Sequence, residues 1–311
     1  MANRNWVADF KYEGGAWLVK KTGHRIPANF ELANNIFTWM TFYVLAQGWR
    51  TWRRVTGNNR PTIAFYPDKP RPWYFIWPVM HTSGARLIRD VSKADIVFQF
   101  DDSTTTDNVP PTIKPGARFV NCACDDVSKS RVEAAFLAAA GYNLGVEPEV
   151  HIGPMVEKSE LNAAHDGRII EGPTPREHGK TYQRVVDNEI ESSMVEDLRC
   201  CIVGGSPAIV FRKRRPLERR FKNENTRVVL DTPTNCYTSD EITVIERFAA
   251  EIGLDWGGVD VLRDKATGRI FIVDANKTDI GPPIALGLGD KLKSTRRMAR
   301  AFIAAFAPEK R

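Results

Sequence analysis

Gly257-Gly258-Val259-Asp260-Val261-Leu262, followed after the turn Arg263-Asp264-Lys265-Ala266-Thr267-Gly268 by Phe271-Ile272-Val273-Asp274-Ala275-Asn276, decides how this chain is read. It reads as a β-hairpin in which Asp260 interrupts one apolar strand and Asp274 and Asn276 close the next. Residues two apart in a strand share a face, so Asp274 and Asn276 project together, and pairing across the hairpin can bring Asp260 to them. Two carboxylates and an amide oxygen form a hard, all-oxygen donor set of the kind Mg²⁺ takes, with substrate phosphates completing its shell. An Asp near a strand end often only caps a turn. That explains Asp264. It does not explain Asp274 and Asn276, which follow the run Ile270–Val273 with no turn signal beside them.

The 311 residues suffice for two or three domains, and 42% hydrophobic with 26% charged residues is ordinary for a globular enzyme. A net charge of +6 points to an anionic partner without choosing among nucleotide, acidic substrate and membrane surface. Cys122, Cys124, Cys200, Cys201 and Cys236 lack the doubled CxxC spacing of a zinc site, and their odd number suits a reducing, cytoplasmic setting. Met1 to Lys21 lacks the apolar core of a secretory signal.

Residues 1–60 read as a separate helical segment. Leu32 to Trp49 is free of charge and is followed by Arg50, Arg53 and Arg54, but Asn34, Asn35, Thr38, Thr41 and Gln47 make it too polar for a membrane span. Three readings stand: a helix packed on the core, an interfacial helix over 32–54 in peripheral contact with a membrane, and a dimerisation helix. Residues 61–125 carry the short apolar strands Thr62–Tyr66, Ala94–Phe100 and Arg118–Asn121, the pattern of a parallel-sheet α/β domain. A helix opens at Asp126–Lys129 and stops at Gly141-Tyr142-Asn143. From Glu147 strands dominate: Thr181–Val186, then a hairpin of Leu198–Val203 and Ala208–Phe211 around Gly204-Gly205-Ser206-Pro207. Ser239 is the expected cap of a helix buried through Ile242, Ile245, Phe248, Ala249 and Ile252, and a last helix runs from about Lys291 to Ala307.

In series, Tyr-Gln-Arg-Val-Val at 182–186, Glu-Asp-Leu-Arg at 196–199, Phe-Arg-Lys-Arg-Arg at 211–215, Arg-Phe-Lys-Asn at 220–223, Gly-Val-Asp ending at 260 and Val-Asp-Ala-Asn ending at 276 resemble the ATP-grasp superfamily. The likeness covers about Asp126 to Pro283 and is nearest the ribosomal-protein glutamate ligases and glutathione-synthetase-like carboxylate–amine ligases. It implies an α/β chain, α+β in its nucleotide-binding part, with a pre-ATP-grasp domain at 61–125 and an ATP-grasp domain at 126–311 whose two subdomains clamp ATP between antiparallel layers.

The resemblance also implies roles. Lys158 falls where the family sets a lysine on the α- and β-phosphates. Gln183, Arg184 and Val185 line adenine through their backbones, and Asp197 contacts the nucleotide. Arg199 faces substrate or the transferred phosphate, with Arg212 and Arg214, on one strand face, clamping γ-phosphate or carboxylate. Lys222 and Asn223 complete the phosphate end. Asp260, Asp274 and Asn276 hold one or two Mg²⁺ ions, or Mn²⁺. His165 sits in the phosphate loop, Ser159 to Gly167, where Gly167 is the lone glycine of a loop the family makes glycine-rich.

The implied reaction is ATP-dependent amide-bond formation through an acyl phosphate, which needs no protein nucleophile. The substrates are small-molecule or peptide carboxylates and amines, anionic in keeping with the arginine-rich site. Residues 61–125 and the loop Thr278–Leu288 are expected to shape the acceptor site. Two alternatives remain: a kinase acting on a hydroxyl, kept open by Asp274 in place of the usual Glu, and an inactive nucleotide-binding scaffold. Nucleic-acid binding is disfavoured because no aromatic residues interleave the basic run at 212–220. Homodimers are common among the family.

Overall fold

The computed structural model describes residues 10–20, 25–56, 61–162, 164, 166–222 and 225–307. Three short antiparallel strands, β1 (Phe10–Glu13), β2 (Ala16–Val19) and β3 (Arg25–Pro27), precede the long helix α1 (Phe30–Thr56). The sequence reading expected helix alone before residue 60. The turn Gly14-Gly15 between β1 and β2, with both φ positive, explains the hairpin.

Next comes a four-stranded sheet, order β5-β4-β6-β7, made of β4 (Thr62–Pro67), β5 (Arg86–Leu87), β6 (Ile96–Phe100) and β7 (Arg118–Val120), parallel throughout. Its central strands are nearly all apolar because both faces are covered. Helix α2 (Ile76–Ser83) lies between β4 and β5 in the chain. Helix α3 (Lys129–Ala140) starts on Ser128, whose side chain accepts from Arg131 N–H, and stops at the left-handed Gly141.

Two antiparallel sheets follow. The smaller has order β10-β8-β9, from β8 (Gly153–Ser159), β9 (Arg168–Gly172) and β10 (Lys180–Arg184). The larger has order β14-β13-β12-β15-β16, with β11 (Glu189–Ile190) also paired to β12. Its strands are β12 (Met194–Val203), β13 (Ser206–Pro216), β14 (Arg227–Asp231), β15 (Trp256–Arg263) and β16 (Ile270–Asn276). The helices are α4 (Pro233–Cys236), α5 (Ser239–Glu251) and α6 (Leu288–Phe306). The cap of α5 is Thr238, one residue before the expected Ser239, because Thr238 and Glu241 form a reciprocal capping box.

Alternation along the large sheet sorts its side chains. Cys200, Val210, Val259 and Ile272 join one apolar core with Phe136 of α3 and Phe248 of α5. On the other face Cys201, Phe211 and Trp256 join a second core with Ile63 and Phe98 of the parallel sheet and Phe302 of α6. That core runs across the 125/126 boundary. Farther along the same face the apolar residues give way to Asp197, Lys213, Arg215, Asp260 and Asp274, and the small sheet stands over them.

Candidate active site

The cleft between the two sheets takes its floor from Asp197, Arg215, Asp260, Leu262, Val273 and Asp274, and its roof from Val156, Lys158, Ser159, Asp166 and Gly167. Lys129 closes one side, and Gln183, Arg184, Val186 and Asn188 form the strip joining the sheets.

The floor rests on pairing register. Asp260 lies directly opposite Asp274, and Gly258 opposite Asn276, so Asp260, Asp274 and Asn276 share the face turned to the cleft. Lys129 Nζ bonds Asp274 Oδ1. Arg199, fully enclosed, reaches Asp260 Oδ2 at 3.1 Å and Asp279 Oδ1 at 2.8 Å. Gly258 makes this bridge fit: a Cβ there would lie 2.5 Å from Arg199 Nε and 2.6 Å from Asp279 Oδ2. Burial opposes ionisation of Asp260, but Arg199, with Lys213 and Arg215, outweighs it and holds the carboxyl well below the usual range. Asn276 Oδ1 accepts from Thr278 N–H at 2.8 Å.

Lys158 crosses from the roof to donate to Val273 O at 2.9 Å. Burial lowers its pKa to about 8, with Asp274 pulling the other way. Asp197 is buried; desolvation raises its pKa while Arg215, bonded to its Oδ2, opposes the rise. Asn188 Nδ2 donates to Asp197 Oδ1 at 3.0 Å, and Arg220 donates to Val186 O at 2.7 Å.

The structure moves two residues away from the cleft. Arg212 and Arg214 both grip Glu196, at 2.8 and 2.6 Å, on the face opposite Asp197. A hairpin closing on Gly204-Gly205 would carry the pairing Ile202–Pro207 onward and set Arg212 against Asp197. Instead the register slips between Cys201 and Ile202, where Ala208 is an extra residue. One inserted residue reverses every side chain beyond it, so Lys213 and Arg215 face the cleft in their place. Lys213 Nζ stands 3.7 Å from Asp260 Oδ1.

Lys222 is exposed and forms no part of the cleft wall. Asn223 and His165 lie outside the described residues. Arg184 is exposed at the cleft edge, its guanidinium 5.6 Å from the Phe271 ring. The sequence reading did not single out Lys129, Asn188, Lys213, Arg215 and Arg220. Counting the bulge would have exchanged the arginine pair for Lys213 and Arg215. Lys129, at the first position of a capped helix, carries no signal that separates it from a solvated lysine.

The cleft suits an anion. Lys129, Lys158, Arg184, Arg215 and Arg220 line it against Asp166, Asp197, Asp260 and Asp274, and Arg199 and Lys213 stand behind with Asp279, seven cations to five acids. Among the described residues, no group of three or more His, Cys, Asp and Glu could hold a metal by itself. Two carboxylates with an amide need phosphate oxygens to complete a Mg²⁺ shell, and buried Asp260 Oδ1 has no hydrogen-bond partner. Arg184 N–H is taken by Leu144 O, and Val185 and Val186 carry the strip on beyond the end of β10. Val156, Val186, Leu262 and Val273 supply apolar lining, and the Gln183 amide Nε2 is buried without a partner. The donor set therefore fits a nucleotide polyphosphate with its divalent ion.

Two antiparallel sheets closing on such a cleft behind a parallel-sheet layer are what the motif series led us to expect. The arrangement resembles the ATP-grasp fold. No protein-family model matches the chain, and no curated protein matches it. Among solved structures it resembles the ATP-grasp ligase PsnB complexed with minimal precursor, at 12% identity over 80% of this chain and 99% of that one, with a TM-score of 0.49. It also resembles a RimK domain protein ATP-grasp from Sphaerobacter thermophilus, at 13% identity over 80% and 100%, with a TM-score of 0.46. A third is the VanG D-Ala:D-Ser ligase from Enterococcus faecalis, at 10% identity over 71% and 74%, with a TM-score of 0.42.

Proposed function

We propose that the chain is an ATP-dependent carboxylate–amine ligase that uses Mg²⁺. The observation that carries this reading is the facing of Lys129 and Lys158 against Asp260, Asp274 and Asn276 across the cleft. Bound Mg·ATP would supply the phosphoryl group that activates a substrate carboxylate, and attack by an amine would then release phosphate and leave an amide.

The chain's own groups supply position and charge. Val185 N–H and C=O meet the base edge, with Gln183 beside it. Lys129, bonded to Asp274, and Lys158, bonded to the Val273 carbonyl, would hold the phosphates, and Asp260, Asp274 and Asn276 would hold the metal. Asp197, held by Asn188 and Arg215, orders the nucleotide side of the floor. Arg199 and Lys213 face Asp260 and balance the charge that develops on the transferred group. On this reading 126–311 is the catalytic unit, and 61–125 with the loop 278–288 forms the wall for an anionic carboxylate substrate and its amine partner.

Asp274 in place of a glutamate keeps one second reading, phosphorylation of a hydroxyl. An ADP-release screen across amino acids, short peptides and polyols, with mass spectrometry of the product, separates the two. A ligase yields a new amide and free phosphate; a kinase leaves phosphate on the product. Asp274→Ala is expected to abolish Mg-dependent nucleotide binding. Unchanged binding in that variant would end the metal assignment, and ADP release by none of these substrates would sink the enzyme reading.

A further inference from the structure

Helix α1 turns one apolar face inward and another outward. Phe42 and Ala46 are buried, Tyr43 stacks on Trp77 of α2 at 5.0 Å, and Trp49 Nε1 donates to Thr82 O at 2.9 Å. On the opposite side Phe37, Met40, Val44 and Val55 are 70, 57, 65 and 82% exposed. Their spacing is helical, with Gly48 and Thr51 between them, so they form one stripe along the helix. Ile36 borders the stripe on one side, and Leu45 and Trp52 on the other, all exposed. A contiguous apolar surface of this length needs a partner.

Charge identifies the partner. No acid occurs from residue 32 to 56, and Arg50, Arg53 and Arg54 gather in the last two turns of α1. Helix α6 packs beside α1 and exposes Lys293, Arg296 and Arg300, with Arg296 5.1 Å from the Trp49 ring. Within α1 one acid stands against three arginines, and within α6 one against five bases. These two helices together account for the chain's whole net charge of +6 and leave the remainder balanced. Arg53 lies over the Trp49 and Trp52 rings, giving the basic end an aromatic rim. None of these residues lines the cleft. No helix among the described residues is long and apolar enough to cross a membrane.

We propose that this face docks the protein on a bilayer containing anionic phospholipid. The stripe Phe37–Met40–Val44–Val55 enters the boundary between headgroups and acyl chains, and the exposed cations Lys293, Arg296 and Arg300 of α6 meet the headgroups. A helix held to the protein body by one side and apolar on the other has the geometry for lying in an interface.

Vesicle co-flotation of the full chain tests this, with phosphatidylcholine alone and phosphatidylcholine mixed with phosphatidylglycerol. The intact protein is expected to float with the mixed vesicles at low salt and to be released by high salt. Phe37→Ser with Val44→Ser should lower binding at least about tenfold, because both side chains are exposed and contribute by insertion. Arg296→Gln with Arg300→Gln should lower it severalfold and weaken the salt dependence. Thermal melting and nucleotide binding in both variants report an intact fold. Failure to float with either vesicle, or equal flotation with neutral vesicles, would overturn the proposal. So would a concentration-dependent dimer that Phe37→Ser with Val44→Ser dissolves, since the stripe would then belong to a second copy.

Discussion

Replacing Lys213 with methionine isolates the consequence of the slipped register in the β12–β13 hairpin. Lys213 is about one-sixth exposed, and its Nζ sits 3.7 Å from Asp260 Oδ1, close enough for attraction and too far for a direct hydrogen bond. Its removal therefore leaves Asp260 with the Arg199 contact intact, and stability should change by less than about 1 kcal/mol. Its charge lies beside Asp260, where the proposed function puts the phosphates. A charge-assisted bond from an enclosed lysine to phosphate is worth about 1.5–3 kcal/mol net, so Mg·ATP affinity should fall roughly 10- to 150-fold. Arg212→Met and Arg214→Met are the comparison. Each leaves Glu196 with its other arginine on the far face, and each should change affinity less than about threefold. Titration calorimetry with a non-hydrolysable ATP analogue and Mg²⁺ gives the affinities, and denaturant melts give the stabilities. If the two arginine variants lose nucleotide as strongly as Lys213→Met, or the lysine variant binds like the parent, the assignment of faces is wrong.

Three further outcomes follow from the same structure. Lys158, lowered by burial to about 8, should take up a fraction of a proton when phosphate binds at about pH 9 and none at about pH 6, read from calorimetry in buffers of different ionisation enthalpy. Uptake that does not change with pH would remove Lys158 from the phosphate site. Burial raises Glu133 to about 7; its native form holds a proton more tightly than the unfolded chain, so stability falls as pH climbs from about 4.5 through 7. Glu133→Gln should flatten that decline, on the order of 1–3 kcal/mol, in urea melts across the window. Gly253 has φ +67° and a Cβ there would meet Ala123 at 2.5–2.7 Å, whereas Gly268, at φ +69°, has open space. Gly253→Ala should therefore cost about 2–4 kcal/mol and Gly268→Ala only about 1–2 kcal/mol by the same melts, and equal costs would contradict the packing.

Much of this was legible in the chain because local chemistry and tertiary need agree. Asp274 and Asn276 share one parity within an apolar strand, as their spacing says, while a register slip between Asp260 and Val261, with Val273 as the extra residue, sets Asp260 opposite Asp274. Ser128 and Gly141 bound α3 where cap chemistry says they should. The parity of β13 was not legible. Residue spacing within Arg212–Arg215 says which side chains share a face; which face that is depends on Ala208, an alanine with no signal that it stands outside the ladder. Lys129 was hidden for another reason: its place in the cleft depends on Asp274, 145 residues away, and on the packing of α3 against β16. The strands before α1 hang on one local signal, the hairpin turn Gly14-Gly15, flanked by strands of only four residues each.

Asn121 bears on how the chain comes to be folded. Fully enclosed and at φ +60°, it closes the parallel sheet at the end of β7. Its Oδ1 accepts from Asp255 N–H and Trp256 N–H at 2.9 and 2.8 Å, and its Nδ2 donates to Trp256 O at 2.8 Å. Every one of these partners lies at least 134 positions later. During synthesis the parallel-sheet layer emerges first, yet this amide has nowhere to turn until β15 has formed. The N-terminal layer must wait, incomplete at one polar point and with Ile63 and Phe98 lacking Trp256 and Phe302 against them, until nearly the whole chain is available. Long-range closure of this kind slows folding. A chain cut before residue 255 should accordingly yield an aggregation-prone layer, although all four of its strands are present.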